Sequence, residues 1–257
     1  MQIKKLFVGL FLGFGLIVPG ISVTATTMFF NVYDDYIELV RKFYDFRIIK
    51  KNKILIIGLV LGVFITIVFI NNLYKNNPFL LNGIFLGILL VCIKNEIIIL
   101  RRTSTFSFLD LFKGMLLVLM INLLLLFLNI KSTNILTISL AGIFSSLAFI
   151  IPGVSGGLIL MSFNLYYYFI DSLINIMKFN LNDIFNILVY IISLLIFILI
   201  NSRLIKIKSR TYFTLGLMIS SIYLMLCDHL VLVNSIYNIF YYIIGIVVGI
   251  IISKLIK

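Results

Sequence analysis

Tryptophan is absent from this 257-residue chain, and three more residue types are scarce: three prolines, two cysteines and one histidine. Each shortage excludes something. Without tryptophan, an aromatic belt at a membrane interface has to be built from tyrosine, as at Tyr166–Tyr168 and Tyr241–Tyr242. Cys92 and Cys227 lie in or near apolar runs, at a spacing that suits neither a metal site nor a disulfide. His229 has no second histidine at helical spacing, so no metal and no cofactor is expected. Long polar stretches are missing too. The longest, Arg41 to Lys53, leaves no room for a soluble domain.

What fills the chain instead is apolar. Hydrophobic residues make up 62% of it and the mean hydropathy is +1.22, against roughly 45–50% apolar residues in soluble domains. Apolar runs of about 15–20 residues recur from end to end, the mark of a polytopic helical membrane protein. The net charge of +12 does not point to nucleic acid. In a membrane protein lysine and arginine collect in the loops and set orientation.

Two of the three prolines head the same phrase: PGIS at residues 19–22 and PGVSGG at 152–157. Pro152 minus Pro19 gives an offset of 133, at which residues 9–37 align with 142–170 without a gap. Identities include Gly20/Gly153, Ser22/Ser155, Phe30/Phe163, Asn31/Asn164 and Tyr33/Tyr166, and far outside that window Gly83 falls on Gly216. The chain therefore reads as an internal repeat, a pattern common among transporters. Met1–Ala25 has the outline of a signal peptide, but a cleaved leader has no reason to recur in mid-chain.

The apolar arm from Lys5 to Val18 reaches only about 21 Å as a helix, short of a core about 30 Å thick. A hairpin that dips in, breaks at PG-x-S and returns over residues 22–39 fits better than a span. Six spans then remain. With the N-terminus cytoplasmic, all lysines and arginines but Lys75, Lys131 and Lys178 fall inside. Reading the first hairpin as one broken span would put the Arg41–Lys53 cluster outside, against the positive-inside tendency. The expected fold is an all-α polytopic membrane protein of two inverted repeats. Residues 1–133 hold a re-entrant hairpin (5–40) and spans near 54–72, 79–99 and 114–130. Residues 134–257 hold a hairpin (135–173) and spans near 184–201, 211–228 and 236–252. Both termini are expected in the cytoplasm and the two breaks near the midplane, one entering from each side.

After each Pro-Gly a serine stands at an N-cap position. The first N–H groups of a helix lack internal partners and carry a partial positive charge, so such a break binds phosphate without a charged side chain. Gly156 and Gly157 would admit a ligand close to the backbone, whereas Thr24, Thr26 and Thr27 offer hydroxyls in the first repeat. Asn31/Asn164 and Tyr33/Tyr166 are expected to serve helix packing. The spans hold almost no ionisable residue near their centres. Asp34, Asp35 and Glu38 fall at the cytoplasmic interface, and Asp171, Asp183 and Asp228 near the outer ends. No proton relay is evident, and the coupling ion stays open between proton and sodium. The basic runs Arg41–Lys53 and Arg203–Arg210 are expected to set topology, attraction of anionic membrane lipids on the cytoplasmic side being the alternative.

PGVSGG with FNLY downstream, together with the earlier PGIS, resembles the polyprenyl-phosphate transporter family over essentially the whole chain. The resemblance implies a flippase-like carrier in the cytoplasmic membrane of bacteria. It would return undecaprenyl phosphate from the outer to the inner leaflet after cell-wall polymer synthesis. It also implies that Pro19, Gly20, Ser22, Pro152, Gly153, Ser155, Gly156 and Gly157 form the phosphate-binding centre; the hydroxyl of Thr24 is added from the residues themselves. The first repeat departs from the family pattern at Val23 and Thr24, where PGISVTATT stands in place of PGVSGG-T.

Three other readings compete. A carrier of another anion is compatible with helix N-termini. An undecaprenyl-pyrophosphate phosphatase would have an arginine directly after the serine and a nearby base, but Ser155 is followed by Gly156 and Ser22 by Val23, so an enzyme is not expected. A non-transporting scaffold would leave the paired breaks unexplained. Oligomeric state has no signature in the sequence.

Overall fold

The computed structural model describes residues 2–127, 133–150, 154–176, 180–201, 212–230 and 236–255. Among these residues all regular structure is helical. The chain forms two compact units, residues 1–68 with 130–209 and residues 69–129 with 210–257, so each unit draws on both sequence repeats.

The first unit begins with α1 (Gln2–Ile17), α2 (Val23–Phe29), α3 (Tyr33–Arg41), α4 (Phe46–Lys51) and most of α5 (Lys53–Asn76). Its second part is α8 (Ile135–Ser145), α9 (Leu147–Ile150), α10 (Gly156–Ser162), α11 (Tyr166–Ile176) and α12 (Leu181–Asn201). α1 stops before Pro19, because proline offers no N–H and pushes the preceding residue out of the helical region. Val18 makes the last helical bond, its N–H donating to the Phe14 carbonyl at 2.9 Å. At the other end of α3 the chain turns into α4 through Asp45, whose side chain accepts from the Arg47 N–H at 2.9 Å. The core of this unit joins Val8 and Leu12 of α1, Val23 of α2, Tyr36 and Ile37 of α3, Leu55 of α5 and Ile150 of α9.

The second unit holds α6 (Pro78–Thr103), α7 (Phe108–Phe127), α13 (Tyr212–Leu230) and α14 (Ile236–Leu255). α6 packs along α14, α7 along α13, and α13 against α6. Glycines four residues apart set the α6–α14 contact. A Cβ on Gly83 or Gly87 would strike the α14 carbonyls of Tyr242 and Ile246, and one on Gly245 or Gly249 those of Leu80 and Ile84. In the first unit Gly9 and Gly13 of α1 meet Gly58 and Gly62 of α5 in the same way. Lipid gives no hydrophobic drive for helices to associate, so close backbone approach at small residues supplies the contact instead.

α5, α6, α12 and α14 are long and apolar enough to cross a membrane, and α10 with α11 would make a fifth span if that bent pair were counted as one. Their outer faces are apolar, with Phe64, Phe69, Ile192, Ile200 and Ile243 all exposed. A surface of this kind belongs in lipid, and the protein is a membrane protein. The other two expected spans fall on α7 and α13. α7 starts at Phe108, earlier than the expected 114, because Ser107 opens the helix by accepting from the Asp110 N–H at 3.2 Å. A single Lys113 does not delay it.

Candidate functional site

Both sequence breaks lie in the first unit. At the first, Pro19 follows the end of α1 and Gly20 takes φ 89, a left-handed conformation open to glycine. Ser22 then leads into α2, its carbonyl accepting from the Thr26 N–H at 2.9 Å. The hydroxyls of this turn are engaged locally. Ser22 Oγ and Thr24 Oγ1 lie 2.9 Å apart, Thr26 Oγ1 donates to the Ser22 carbonyl at 2.9 Å, and Thr27 Oγ1 donates to the Thr24 carbonyl at 2.7 Å.

At the second break Pro152 and Gly153 lie outside the described residues. Ser155 is the N-cap of α10 by backbone position, yet its side chain makes no bond to that helix. Its Oγ instead accepts the Gly20 N–H at 3.0 Å, so the two breaks meet. Ser22, Thr24 and Ser155 are all buried there, Thr24 completely.

The two glycines after Ser155 differ. A Cβ on Gly157 would come within 3.0 Å of the Ile17 carbonyl oxygen and 3.1 Å of Pro19 Cα. What approaches the backbone at Gly157 is therefore the first break itself, not the free space expected for a ligand. Gly156 is open, with only Ala148 Cβ at 3.8 Å.

A second turn, absent from the sequence expectation, divides each return arm. α2 ends after seven residues, and Asn31 then takes φ 57. Its N–H donates to the Met28 carbonyl at 3.2 Å and the Val32 N–H to the Thr27 carbonyl at 2.9 Å, which is a Schellman cap. The same three features recur 133 residues later: Asn164 at φ 55, its N–H on the Met161 carbonyl, and the Leu165 N–H on the Leu160 carbonyl. α10 and α11 meet there at 111°. Asn31 and Asn164 thus serve backbone conformation, where helix packing had been expected. The readable signal was Phe-Asn-x-Tyr in both repeats, since asparagine is the residue after glycine that tolerates the left-handed region.

Tyr166 is also more than a packing residue. It is buried, and its hydroxyl donates to the Ile17 carbonyl at 3.0 Å, at the C-terminal end of α1 where carbonyls lack helical partners. At the expected cytoplasmic interface, Lys5 of α1 pairs with Asp35 of α3 at 3.0 Å, and Lys51 of α4 with Asp35 at 3.5 Å and Glu38 at 2.9 Å. The Lys5 hydrogen bond holds the Asp35 carboxyl below its usual range, against an opposing cost of burial. Asp183, at the start of α12, accepts from Ser172 Oγ at 3.0 Å and Asn175 Nδ2 at 3.2 Å.

One acidic residue lies inside a span, away from its centre and apart from the interfacial carboxylates named above. Glu96 stands inside α6 and is buried. Among the described residues no three His, Cys, Asp or Glu side chains gather in a way that could hold a metal ion.

A family model described as undecaprenyl phosphate translocase-like matches residues 12–227, a stretch that contains both breaks. No curated protein and no solved structure matches the chain.

Proposed function

The chain belongs to the undecaprenyl phosphate translocase-like family, and on that premise we propose that it carries undecaprenyl phosphate from the outer to the cytoplasmic leaflet of the cell membrane. The lipid would return there for another round of cell-wall polymer synthesis. Both termini face the cytoplasm in this reading. Each sequence repeat contributes a re-entrant hairpin, the two entering from opposite sides.

The observation that carries the proposal is the Gly20 N–H bond to Ser155 Oγ. It joins one neutral backbone donor and one hydroxyl, both able to bind a phosphate oxygen, at the meeting of two helix breaks. The bonded pair is the closed state of the site. A phosphate oxygen replaces Ser155 Oγ on the Gly20 N–H, while the Ser155 hydroxyl turns to donate to the same headgroup. Ser22, Thr24 and the open face at Gly156 complete the pocket, with Pro19 shaping the first break and Gly157 letting α10 approach it closely. No charged side chain is needed, which suits a headgroup that must be released again. Non-helical backbone inside a membrane is tolerated where it is packed in protein or lines a cavity, and the apolar outer faces leave the prenyl tail in lipid.

The inverted arrangement is supported by the matched Asn31 and Asn164 turns and by the glycine contacts of α6 with α14 and of α7 with α13. The test is exchange of undecaprenyl phosphate between leaflets of liposomes containing the purified protein. Fast exchange is expected from the wild type and little from Gly156→Leu, which fills the open face. Exchange no faster than in protein-free liposomes would overturn the proposal, and uptake of sulfate or another small anion instead would redirect it.

A further inference from the structure

Glu96 lies seven residues before the end of α6, in a helix otherwise apolar enough to cross a membrane. It is 4% exposed, and Thr214 of α13, itself completely buried, donates its hydroxyl to Glu96 Oε1 at 3.3 Å. Leu100, Tyr212 and Leu215 pack together beside this pair. Among the described residues the other titratable and charged groups at this level are few. α13 contributes Tyr212. α7 contributes Asp110 and Lys113, flanking the Leu111 that packs on the same cluster, and α14 ends near the exposed Lys254. Lys94, Arg101 and Arg102 of α6 itself are exposed.

The repeat offset gives this carboxylate a counterpart. Residue 96 plus 133 is 229, the one histidine of the chain, and Asn95 likewise falls on Asp228. The same offset superimposes Gly83 on Gly216, so α6 and α13 are the same span of the two repeats. Thr214 and His229 stand fifteen residues apart on α13, roughly 22 Å along the helix axis at 1.5 Å per residue. The α6–α13 pair therefore carries an ionisable residue at each end: Glu96 beside the first turn of α13, and His229 in its last.

Ionisable groups inside spans are costly to keep and mark proton or ion paths. Resting on the translocation reading above, we propose that Glu96 and His229 are the proton-exchanging groups of this carrier, and that the coupling ion is a proton. A carboxylate and an imidazole both take up and release protons near neutral pH once their surroundings tune them. Imidazole is a poor ligand for a hard alkali cation, which disfavours sodium at the His229 end. The need for a counter-charge follows from the cargo. Each negative charge carried inward moves against a membrane potential that is negative inside, and a proton carried with the phosphate cancels one such charge. In each cycle one group gains a proton from one aqueous side and passes it to the other side. No bond to phosphorus is made or broken.

The test pairs a spectroscopic readout with a transport readout on the full-length protein in vesicles. Glu96→Gln keeps an oxygen for the Thr214 hydroxyl but cannot exchange a proton. Infrared difference spectra between acidic and alkaline pH should show the C=O stretch of a protonated carboxyl in the wild type that is missing from Glu96→Gln. Undecaprenyl phosphate exchange should accelerate under an imposed pH gradient, acid outside. That acceleration should be lost in Glu96→Gln and reduced in His229→Gln. Absence of the Glu96 band overturns the proposal, as does a Glu96→Gln protein that follows the gradient like the wild type. Acceleration by a sodium gradient and not by pH overturns it as well. If the band is present but no protein exchanges the lipid, the proton site stands and the lipid-phosphate reading is the one that fails.

Discussion

The Tyr166 hydroxyl donates to the Ile17 carbonyl at 3.0 Å, across 149 residues of chain. Ile17 is the last residue of α1, and Tyr166 is the first of α11. One sequence repeat thereby caps the helix end that the other leaves open. Removing the hydroxyl in Tyr166→Phe keeps the ring and strands the carbonyl, a loss of about 0.5–2 kcal/mol for a buried bond of this kind. The expected outcome is a lower thermal unfolding midpoint in detergent with the fold retained by circular dichroism. An unchanged midpoint would mean that the contact contributes nothing.

Gly156 and Gly157 are adjacent and should respond differently to the same change. Gly157→Ala drives a methyl against the Ile17 carbonyl and Pro19, and rigid backbone on both sides leaves little room to yield. Overpacking of this kind costs about 1–3 kcal/mol. Gly156→Ala meets only Ala148 Cβ at ordinary contact distance and should leave stability within ~0.5 kcal/mol of the wild type. Unfolding midpoints of the two variants, measured side by side, check the contrast.

Ser155→Ala separates the cross-break bond from the backbone turn. The Gly20 N–H loses its acceptor, and a buried donor left unpaired costs about 1–3 kcal/mol. If that bond closes the phosphate site, leaflet exchange of undecaprenyl phosphate should fall by more than the stability loss explains. Ser155→Thr, which restores a hydroxyl, should recover part of it.

The helical class, the repeat offset and the place of both breaks were legible in the sequence because each rests on local chemistry. Apolar runs, Pro-Gly and a repeated phrase need no tertiary context. Ser155 shows where that reasoning stopped. The N-cap position was readable, but a serine hydroxyl can serve its own helix or a donor elsewhere, and only the approach of Gly20 decides. Gly157 is similar: sequence marks a residue without a side chain, and packing determines whether a ligand or Pro19 uses the gap. Glu96 was hidden by its neighbours, since KNE beside the basic end of a span reads as interface until Thr214 is seen to cover it.

Asp35 gives a pH dependence whose direction follows from its partners. Lys5, the larger influence, and Lys51 hold its carboxyl below the usual range. A carboxyl lowered in the folded state adds stability at pH values above its unfolded pKa of about 3.9. That contribution disappears as pH falls through the lowered folded value. The unfolding midpoint should therefore be flat through neutral pH and drop below about pH 4. The drop should be smaller in Asp35→Asn, which starts lower. Raised salt should shrink the difference between the two proteins, because the pairs are partly exposed.

Asn31 and Asn164 offer a test of the repeat at the level of backbone energetics. Both sit in the left-handed region, at φ 57 and φ 55, with matching carbonyl acceptors on either side. Replacing either by alanine forces a Cβ into that conformation without the local hydrogen bonding that lets asparagine adopt it, at about 1–2 kcal/mol. Replacement by glycine relieves the steric cost, so Asn31→Gly and Asn164→Gly should be near neutral in the folded state. The prediction is therefore paired. The two alanine variants should lower the unfolding midpoint by similar amounts, and each glycine variant should sit close to the wild type. If Asn31→Ala is costly and Asn164→Ala is silent, the two turns are not equivalent parts of a repeat, despite their common offset. Equal costs would mean that the second turn of each return arm is as much a part of the duplicated unit as the Pro-Gly break that precedes it.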